Sequence, residues 1–313
     1  MAKADALTDV TGTVPLDDAA AVAAACERIL ARTGEDWDRD LLHASFAFAD
    51  DLFAGRHPGY LACDMPYHDL RHSLDAALIM ARLVDGCRAG GEADGLGLDG
   101  ESRLAGVLLA LLHDTGFLRR HDEARMRGPE LGTSHEARSM GLARTYLAGT
   151  SLAPKAGLAA MIEATRIATR PPELFRGQPP SHVAIGRLLG SADLICQLAD
   201  PRYLERCYHH LYMELVIGAE RAATPPPFRN ARELLAGTVA FHDNLVGPRL
   251  ERDFAHAARF LDQHFGGADP YANSIRANLQ RCSRIVNEGR WDLLGPPPPT
   301  TTRPLDAAYP APG

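Results

Sequence analysis

The sequence lacks any pair of cysteines at the spacing of a redox or zinc motif. Its six cysteines, spread between Cys26 and Cys282, form no CxxC pair. A chain of 313 residues can bury a sizeable core without disulfide staples. We therefore expect free thiols and a reducing, cytoplasmic location.

Long hydrophobic runs are also missing. The longest apolar stretch, Leu104–Leu112, is far shorter than the roughly 20 residues that a membrane-spanning helix needs. The first 18 residues contain no apolar segment of the kind found in secretory signals. We therefore expect no secretory signal and no membrane partner.

Positive charge is scarcer than negative charge. The chain has 33 basic and 40 acidic residues, a net charge of −7, and only 2 of the basic residues are lysines. This balance leaves no polybasic surface for a nucleic-acid polymer or an anionic membrane. We expect neither as a partner, and we attribute the arginine bias to the composition of the source.

Strand-type alternation of polar and apolar residues is nearly absent, and helical periodicity takes its place. Residues 72–87, for example, repeat apolar side chains at spacings of three and four. Asp17 and Asp18 can cap a helix that runs to about residue 33. Similar segments lie at 101–113, 134–148, 154–168, 181–199, 202–220, 229–244, 248–265 and 271–289. The pattern predicts an all-α fold of about ten helices.

The ends of the chain differ in composition from the rest. Residues 1–14 have few apolar anchors, and we expect a flexible arm there. Residues 293–313 are rich in proline, which favours an extended, disordered tail. Between them we expect one helical domain, residues 15–292. Its helices after residue 202 could line a substrate pocket or form a homodimer interface, and their composition does not distinguish the two.

Three stretches carry residues capable of chemistry. PYHDLRH places His68 and His72 four residues apart. GVLLALLHDTGF ends an apolar helix with His113–Asp114. IGRLLGSADLICQLAD places Asp193 in an apolar helix among small neighbours. Ionisable groups on buried helices are costly unless a cation compensates their charge.

A divalent metal ion would supply that charge. Histidine offers a neutral nitrogen and aspartate a hard oxygen, a mixture that suits Zn²⁺, Mn²⁺, Fe²⁺ or Mg²⁺. A His-Asp pair alone is a weak signal, because the chain also contains His121–Asp122 in a charged loop and His242–Asp243 on a late helix. Only the three stretches together indicate a metal site.

Taken in order, the stretches resemble the H…HD…D pattern of the HD superfamily of metal-dependent phosphohydrolases. The resemblance covers about residues 60–205. It implies an HD-domain helical bundle in which His72, His113, Asp114 and Asp193 bind one metal ion.

The string YHDLRH resembles more closely the Y-H-N-x-x-H string of class I cyclic nucleotide phosphodiesterases, with Asp in place of Asn. This resemblance implies a PDEase-like bundle in which His68 acts as the general acid for the leaving oxygen and Asp114 belongs to the catalytic set. The implied partner is a small-molecule phosphoester, a cyclic nucleotide or a relative of one. Asp69 could orient His68 or raise its pKa, and the sequence does not choose between these roles.

The chain departs from that family around a second metal. Phe117 stands where those phosphodiesterases usually have a further His, and Thr165 and Arg166 stand where dinuclear members use another. A second ion would depend on Asp114, water and His135. Arg166 is suited instead to binding a phosphate.

Three alternatives are weaker. An HD-type di-iron oxygenase would need two His-rich metal positions, and a non-catalytic nucleotide-binding sensor would not need an intact ligand set with a general acid. HDLRH also resembles the HExxH helix of zinc proteases, but the preceding Pro66 places the string at a helix start.

Overall fold

Helices make up the regular structure of the chain. The computed structural model describes residues 7–32, 34–93 and 95–302. No strand of a sheet occurs in these ranges, which contain only isolated bridges between Thr8 and Pro15 and between Tyr60 and Arg120. The prediction of an all-α fold is confirmed. None of the described helices combines the length and the apolar character needed to cross a membrane.

The α-helices are α1 (Ala19–Ala31), α2 (Arg39–Phe53), α3 (Leu70–Ala89), α4 (Gly100–Leu112), α5 (His135–Ala148), α6 (Pro171–Leu174), α7 (Pro180–Ala199), α8 (Tyr203–Arg206), α9 (Tyr212–Arg221), α10 (Ala231–Phe241), α11 (Arg259–His264) and α12 (Pro270–Asn287). Segments of 3₁₀ helix lie at Thr115–Phe117, His121–Glu123, Gly128–Leu131, Ala153–Thr165 and Trp291–Leu293. Segments of π-helix lie at Cys207–Leu211, His242–Val246 and Arg249–Asp253.

Two predicted helices differ from the observed ones. Residues 154–168 form a 3₁₀ helix that ends at Thr165. Residues 248–265 do not form one helix, because Ala255 and His256 adopt left-handed backbone angles, with φ of 52° and 56°. Left-handed residues cannot continue an α-helix, so the segment breaks before α11.

The helix α2 is absent from the predicted segments. Its start is set by Asp38, whose carboxylate accepts a hydrogen bond from the backbone N–H of Leu41 at 2.8 Å. This is an ordinary N-cap, and the buried residues Leu42, Phe46, Ala49 and Phe53 follow it at helical spacing, so the sequence does carry a signal for α2.

Residues 7–14 pack against the helical body, where a loose arm was expected. The carboxylate of Asp9 accepts a hydrogen bond from the Val14 N–H at 2.9 Å and pairs with Arg82 of α3 at 2.7 Å. Both partners of the ion pair are buried, and Val14 belongs to the core. Residues 1–6 lie outside the described residues.

The described part of the proline-rich tail runs in an extended conformation over the body. The Gly295 N–H donates to the Glu205 carboxylate at 2.8 Å, and the Thr301 N–H donates to that of Asp69 at 2.9 Å. Residues 303–313 of the predicted disordered tail lie outside the described residues.

The helix α3 lies at the centre of the bundle and packs against α1, α4, α7 and α11. Its residues are buried without interruption from Leu70 to Cys87. The neighbouring α4 is apolar around its whole circumference from Leu104 to Leu112, as expected of a helix surrounded by others. Polar residues on α3, α4 and α7 therefore face one another away from solvent.

The helix α11 crosses α3 at a glycine. A Cβ atom at Gly86 would lie 1.7 Å from the carbonyl oxygen of Phe260. Gly141, on α5, has no such neighbour within 4 Å. The two helical glycines therefore differ in what an added methyl group would meet.

Gly86→Ala is expected to lower the free energy of unfolding by at least about 1–3 kcal/mol, because the backbones must separate to admit the methyl group. The matched Gly141→Ala is expected to raise it by about 0.5–1 kcal/mol, because alanine loses less backbone entropy in a helix. Urea unfolding of both variants measures the effect. Equal shifts in the two variants would contradict the close crossing of α3 and α11.

Candidate metal centre

Four side chains from three helices converge on one point. His72 lies in the first turn of α3, His113 is the C-cap of α4, Asp114 follows it, and Asp193 lies on α7. The carboxylate of Asp69 caps α3 by accepting from the His72 N–H at 3.2 Å. All four converging side chains are buried.

The distances between their polar atoms are short and similar. Nε2 of His72 lies 3.3 Å from Nε2 of His113. Oδ2 of Asp114 lies 3.2 Å from each of these nitrogens. Oδ1 of Asp193 lies 3.3 Å from the first and 3.5 Å from the second. Metal bonds of about 2.0–2.2 Å place neighbouring ligand atoms about 3.0–3.5 Å apart, so the four atoms fit one divalent ion.

The tautomer of His113 supports this fit. Its Nδ1 lies 2.8 Å from the carbonyl oxygen of Ala110, which can only accept a hydrogen bond. The proton of the neutral ring is therefore on Nδ1, and the lone pair of Nε2 points into the cluster. A metal-binding histidine is usually fixed in this way.

Cys196 fixes His72 in a similar way. Its Sγ lies 3.4 Å from Nδ1 of His72, and its thiol donates to the backbone oxygen of Asp193 at 3.0 Å. Burial raises the pKa of the Cys196 thiol to about 12, so the sulfur stays protonated. It can then accept a hydrogen bond from the N–H at Nδ1 of His72. The Nε2 atom of His72 therefore also presents a lone pair to the cluster.

Two imidazole lone pairs and two carboxylates facing one another require positive charge. Oδ2 of Asp114 is buried and has no hydrogen-bond partner among the described residues. Burial lowers the pKa of His113, but Asp114 and Asp193 outweigh this effect and raise it to about 10. Burial opposes ionisation of Asp193, yet the two histidines hold its pKa below the usual range. The cluster thus attracts either protons or a cation, and a divalent ion satisfies all four ligand atoms at once.

His72, Asp193 and Cys196 also lie close enough to form a second possible ligand group. The sulfur, however, is engaged with Nδ1 of His72, on the opposite side of the ring from Nε2. One ion cannot bind both nitrogens of a ring. We therefore assign Cys196 to the support of His72 and not to the ligand set.

The carboxylate of Asp193 has its own support. The amide nitrogen of Gln197 donates to its Oδ1 at 3.1 Å. The hydroxyl of Tyr67 donates to the amide oxygen of Gln197 at 3.4 Å. This chain of hydrogen bonds fixes which way the Gln197 amide and the carboxylate face.

His68 lies beside the cluster and not in it. Its Nδ1 is 2.5 Å from Oε2 of Glu214, while Oε1 of Glu214 accepts from the backbone N–H of Tyr67 at 2.6 Å. The ring centre is 5.6 Å from that of His72. Glu214 is buried and holds one nitrogen of His68, so Nε2 is the nitrogen left for chemistry.

A stack of rings connects His68 to His135. Phe117 stacks on His68 with centroids 5.0 Å apart and on His135 with centroids 4.0 Å apart. Nε2 of His135 lies 3.8 Å from Oδ1 of Asp114, the oxygen on the other side from the four-ligand cluster. Gly116 permits this arrangement, because a Cβ there would lie 1.8 Å from the His135 carbonyl oxygen.

The site opens into a cavity of about 1080 Å³. Asp114, Asp193, His68 and His135 all line it, and so does Arg166. The Arg166 guanidinium is partly exposed, lies 3.4 Å from the Glu163 carboxylate and 3.8 Å from that of Glu136. Among the candidate residues, Arg166 thus places a partly exposed positive charge at the edge of the cavity.

The carboxylate of Asp69 holds neighbouring segments together and is not hydrogen-bonded to His68. Besides capping α3, its carboxylate lies 3.3 Å from Arg206, and it accepts from Thr301. The carboxylate that orients His68 is that of Glu214. The two additional His-Asp pairs, His121–Asp122 and His242–Asp243, do not line the cavity.

The sequence reasoning did not identify Glu214, Cys196 or Gln197. Glu214 is 146 residues from His68, and no local spacing marks it. Cys196 and Gln197 carried a usable signal, because they follow Asp193 by three and four residues on one helix and must share its face.

Cys196→Ala is expected to weaken metal binding by about 10- to 100-fold, because His72 loses the acceptor that fixes its ring. Competition with a chromophoric chelator measures the affinity. Cys282→Ala is the control, since this buried thiol donates to the Leu235 carbonyl oxygen at 3.2 Å and lies outside the cluster. Equal affinities in the two variants would remove Cys196 from the site.

Comparison with known proteins does not assign the chain to a family. No protein-family model matches the chain, and no curated protein matches it.

Proposed function

We propose that the protein is a metal-dependent phosphohydrolase of the HD type that its sequence resembles, hydrolysing a cyclic nucleotide or a related phosphoester. The observation that carries this proposal is the separation of two roles at one cavity. Four buried ligand atoms, from His72, His113, Asp114 and Asp193, meet at one point. His68 lies beside them with a carboxylate on one nitrogen and the other nitrogen left for the substrate.

The separation suits hydrolysis of a phosphoester. Such a reaction needs neutralised phosphoryl oxygens, an activated water and a proton for the leaving oxygen. A divalent ion held by the four ligands would supply a Lewis acid for the first two requirements. The third falls to His68, which lies outside the ligand set and can carry a proton.

The surrounding residues assist His68. Glu214 holds Nδ1 and stabilises the ring when it is protonated, as a carboxylate does for a catalytic histidine. Phe117 covers one face of the ring and keeps water from it. At the cavity edge, the Arg166 guanidinium can bind a phosphoryl oxygen, because its planar donors match that geometry.

A second metal position would have fewer protein ligands. His135 and Oδ1 of Asp114 face each other, whereas Thr165 donates its hydroxyl proton to the Ile162 carbonyl at 2.8 Å. One histidine and one shared carboxylate suit a weakly held second ion better than the redox pair of an oxygenase. Two irons per chain together with O₂ uptake would identify the oxygenase instead.

Substitution of His68 and Asp114 separates catalysis from metal binding. His68→Ala is expected to keep the metal and lose about 10²–10⁴-fold in turnover, the usual contribution of a general acid. Asp114→Ala is expected to lose both metal and turnover, because it removes a ligand. Elemental analysis of the purified variants and steady-state kinetics provide the two measurements.

His121→Ala is the matched control, because His121 is exposed and does not line the cavity. It is expected to match the parent protein in both measurements. Unchanged metal content in Asp114→Ala would show that the ligand assignment is wrong. Unchanged turnover in His68→Ala would remove the general acid from the proposal.

The reaction itself is tested by metal analysis followed by a panel of phosphoesters. The panel includes 3′,5′-cyclic nucleotides, linear diesters and monoesters, each with added Mn²⁺. Hydrolysis that a chelator abolishes and Mn²⁺ restores supports the proposal. Failure to hydrolyse any of them, with metal present in the site, would favour a sensor that binds its ligand without turnover.

A further inference from the structure

The cavity has two chemically different ends. Its floor is the metal-ligand cluster with His68. Its far wall consists of apolar side chains from α9, α10 and the segment between them, including Leu215, Phe228, Leu234 and Phe241. The two ends belong to one continuous space of about 1080 Å³, slightly above the roughly 300–1,000 Å³ typical of small-molecule sites.

Exposed apolar side chains are concentrated at this cavity. Among the described residues, Ile167 and Phe241 are the large hydrophobic side chains that remain exposed, at 46% and 37%. Both line the cavity. All the other large hydrophobic side chains in the described ranges are buried or partly buried, so this placement is not an effect of a generally apolar surface.

The far wall has few groups that could recognise a nucleobase. Besides Glu214, which is paired with His68, its polar side chains on α9, α10 and the segment between them are Arg221, Thr224 and Thr238. Gln197 is the one amide side chain among the lining residues, and it lies on the floor with Asp193 and Tyr67 at its two ends. The hydroxyl of Thr238 faces the Leu234 carbonyl oxygen at 3.4 Å. A base placed against Leu215 and Phe228 would leave polar edges without partners, which costs free energy.

We propose, resting on the phosphohydrolase function above but replacing its cyclic nucleotide by another phosphoester, that the substrate is an amphipathic phosphoester carrying a hydrocarbon chain. The phosphoryl group lies against the metal ligands, and Arg166 binds it from the cavity edge. The chain extends along the wall of α9 and α10 and leaves the cavity between Ile167 and Phe241. Each carbon of the hydrocarbon chain that packs against the wall is removed from water. This burial favours substrates with longer chains over those with shorter ones.

A pair of alkyl phosphates tests the inference by binding alone. Butyl phosphate and octyl phosphate, below the micellar concentration, are titrated into the metal-loaded protein in a calorimeter. Full burial of the four extra methylenes is expected to tighten binding on the order of 200-fold, at about fourfold for each methylene. Equal affinities for the two ligands would overturn the inference.

Substitutions at the cavity mouth give a second measurement. Ile167→Ser is expected to weaken the binding of octyl phosphate by several-fold and that of butyl phosphate less, because the longer chain buries more hydrocarbon against the Ile167 side chain. Ile29→Ser is the matched control, since Ile29 is partly buried on α1 and does not line the cavity. Because Ile167 is exposed, its variant is expected to fold. Equal losses for both ligands, or equal losses in both variants, count against the chain path.

The turnover of two chromogenic diesters distinguishes this inference from the function beneath it. 4-Nitrophenyl octyl phosphate is expected to have a higher kcat/KM than 4-nitrophenyl butyl phosphate. Hydrolysis of both at equal kcat/KM would contradict the chain inference and leave the phosphohydrolase standing. Chain-dependent binding without hydrolysis of any phosphoester would support the apolar path and contradict the phosphohydrolase.

Discussion

The rest of the structure depends on the burial of two imidazole lone pairs and two carboxylates around one point. Left without compensation, this cluster would be strongly destabilising, because charges and polar atoms lose their hydration in the interior. A cation at the centre would remove that cost and would link α3, α4 and α7, since each helix contributes a side chain to the cluster. The same ion would stabilise the native state by binding it in preference to the unfolded chain. Under the proposed function, stability and catalysis would therefore depend on one group of residues.

Behind the cluster, further buried charges are arranged in pairs. Arg71 lies 2.6 Å from Asp200, which also lies 3.6 Å from Arg206. Arg206 reaches Asp69, the cap of α3, and its guanidinium lies 5.1 Å from the centre of the Tyr67 ring. Asp200 thus holds Arg71, the neighbour of His72, and Arg206 holds Tyr67 and Asp69, the neighbours of His68. Removal of one member would leave its partner charged and buried, which typically costs about 3–5 kcal/mol. The network maintains the orientation of the short segment that carries both His68 and His72.

The cavity has a polar part and a mostly apolar part. Its floor contains Asp114, Asp193 and His68, to which we assign cation binding and proton transfer, whereas its wall of α9 and α10 consists mostly of apolar side chains. Such a division lets the proposed reaction centre stay the same while the wall sets which substituent is accepted. Several residues of the helices after residue 202 line the cavity. The composition of these helices alone did not distinguish a pocket from an interface.

The sequence by itself determined the all-α class and the positions of most helices, because apolar periodicity acts over a few residues and is visible in any short window. It also indicated the four converging side chains, through the resemblance of their order in the chain to the H…HD…D pattern. The break at Ala255 and the role of Glu214 came only from the tertiary structure. Glu214 meets His68 across 146 residues of chain. Contacts over such distances are decided by how helices pack, and no local pattern encodes them.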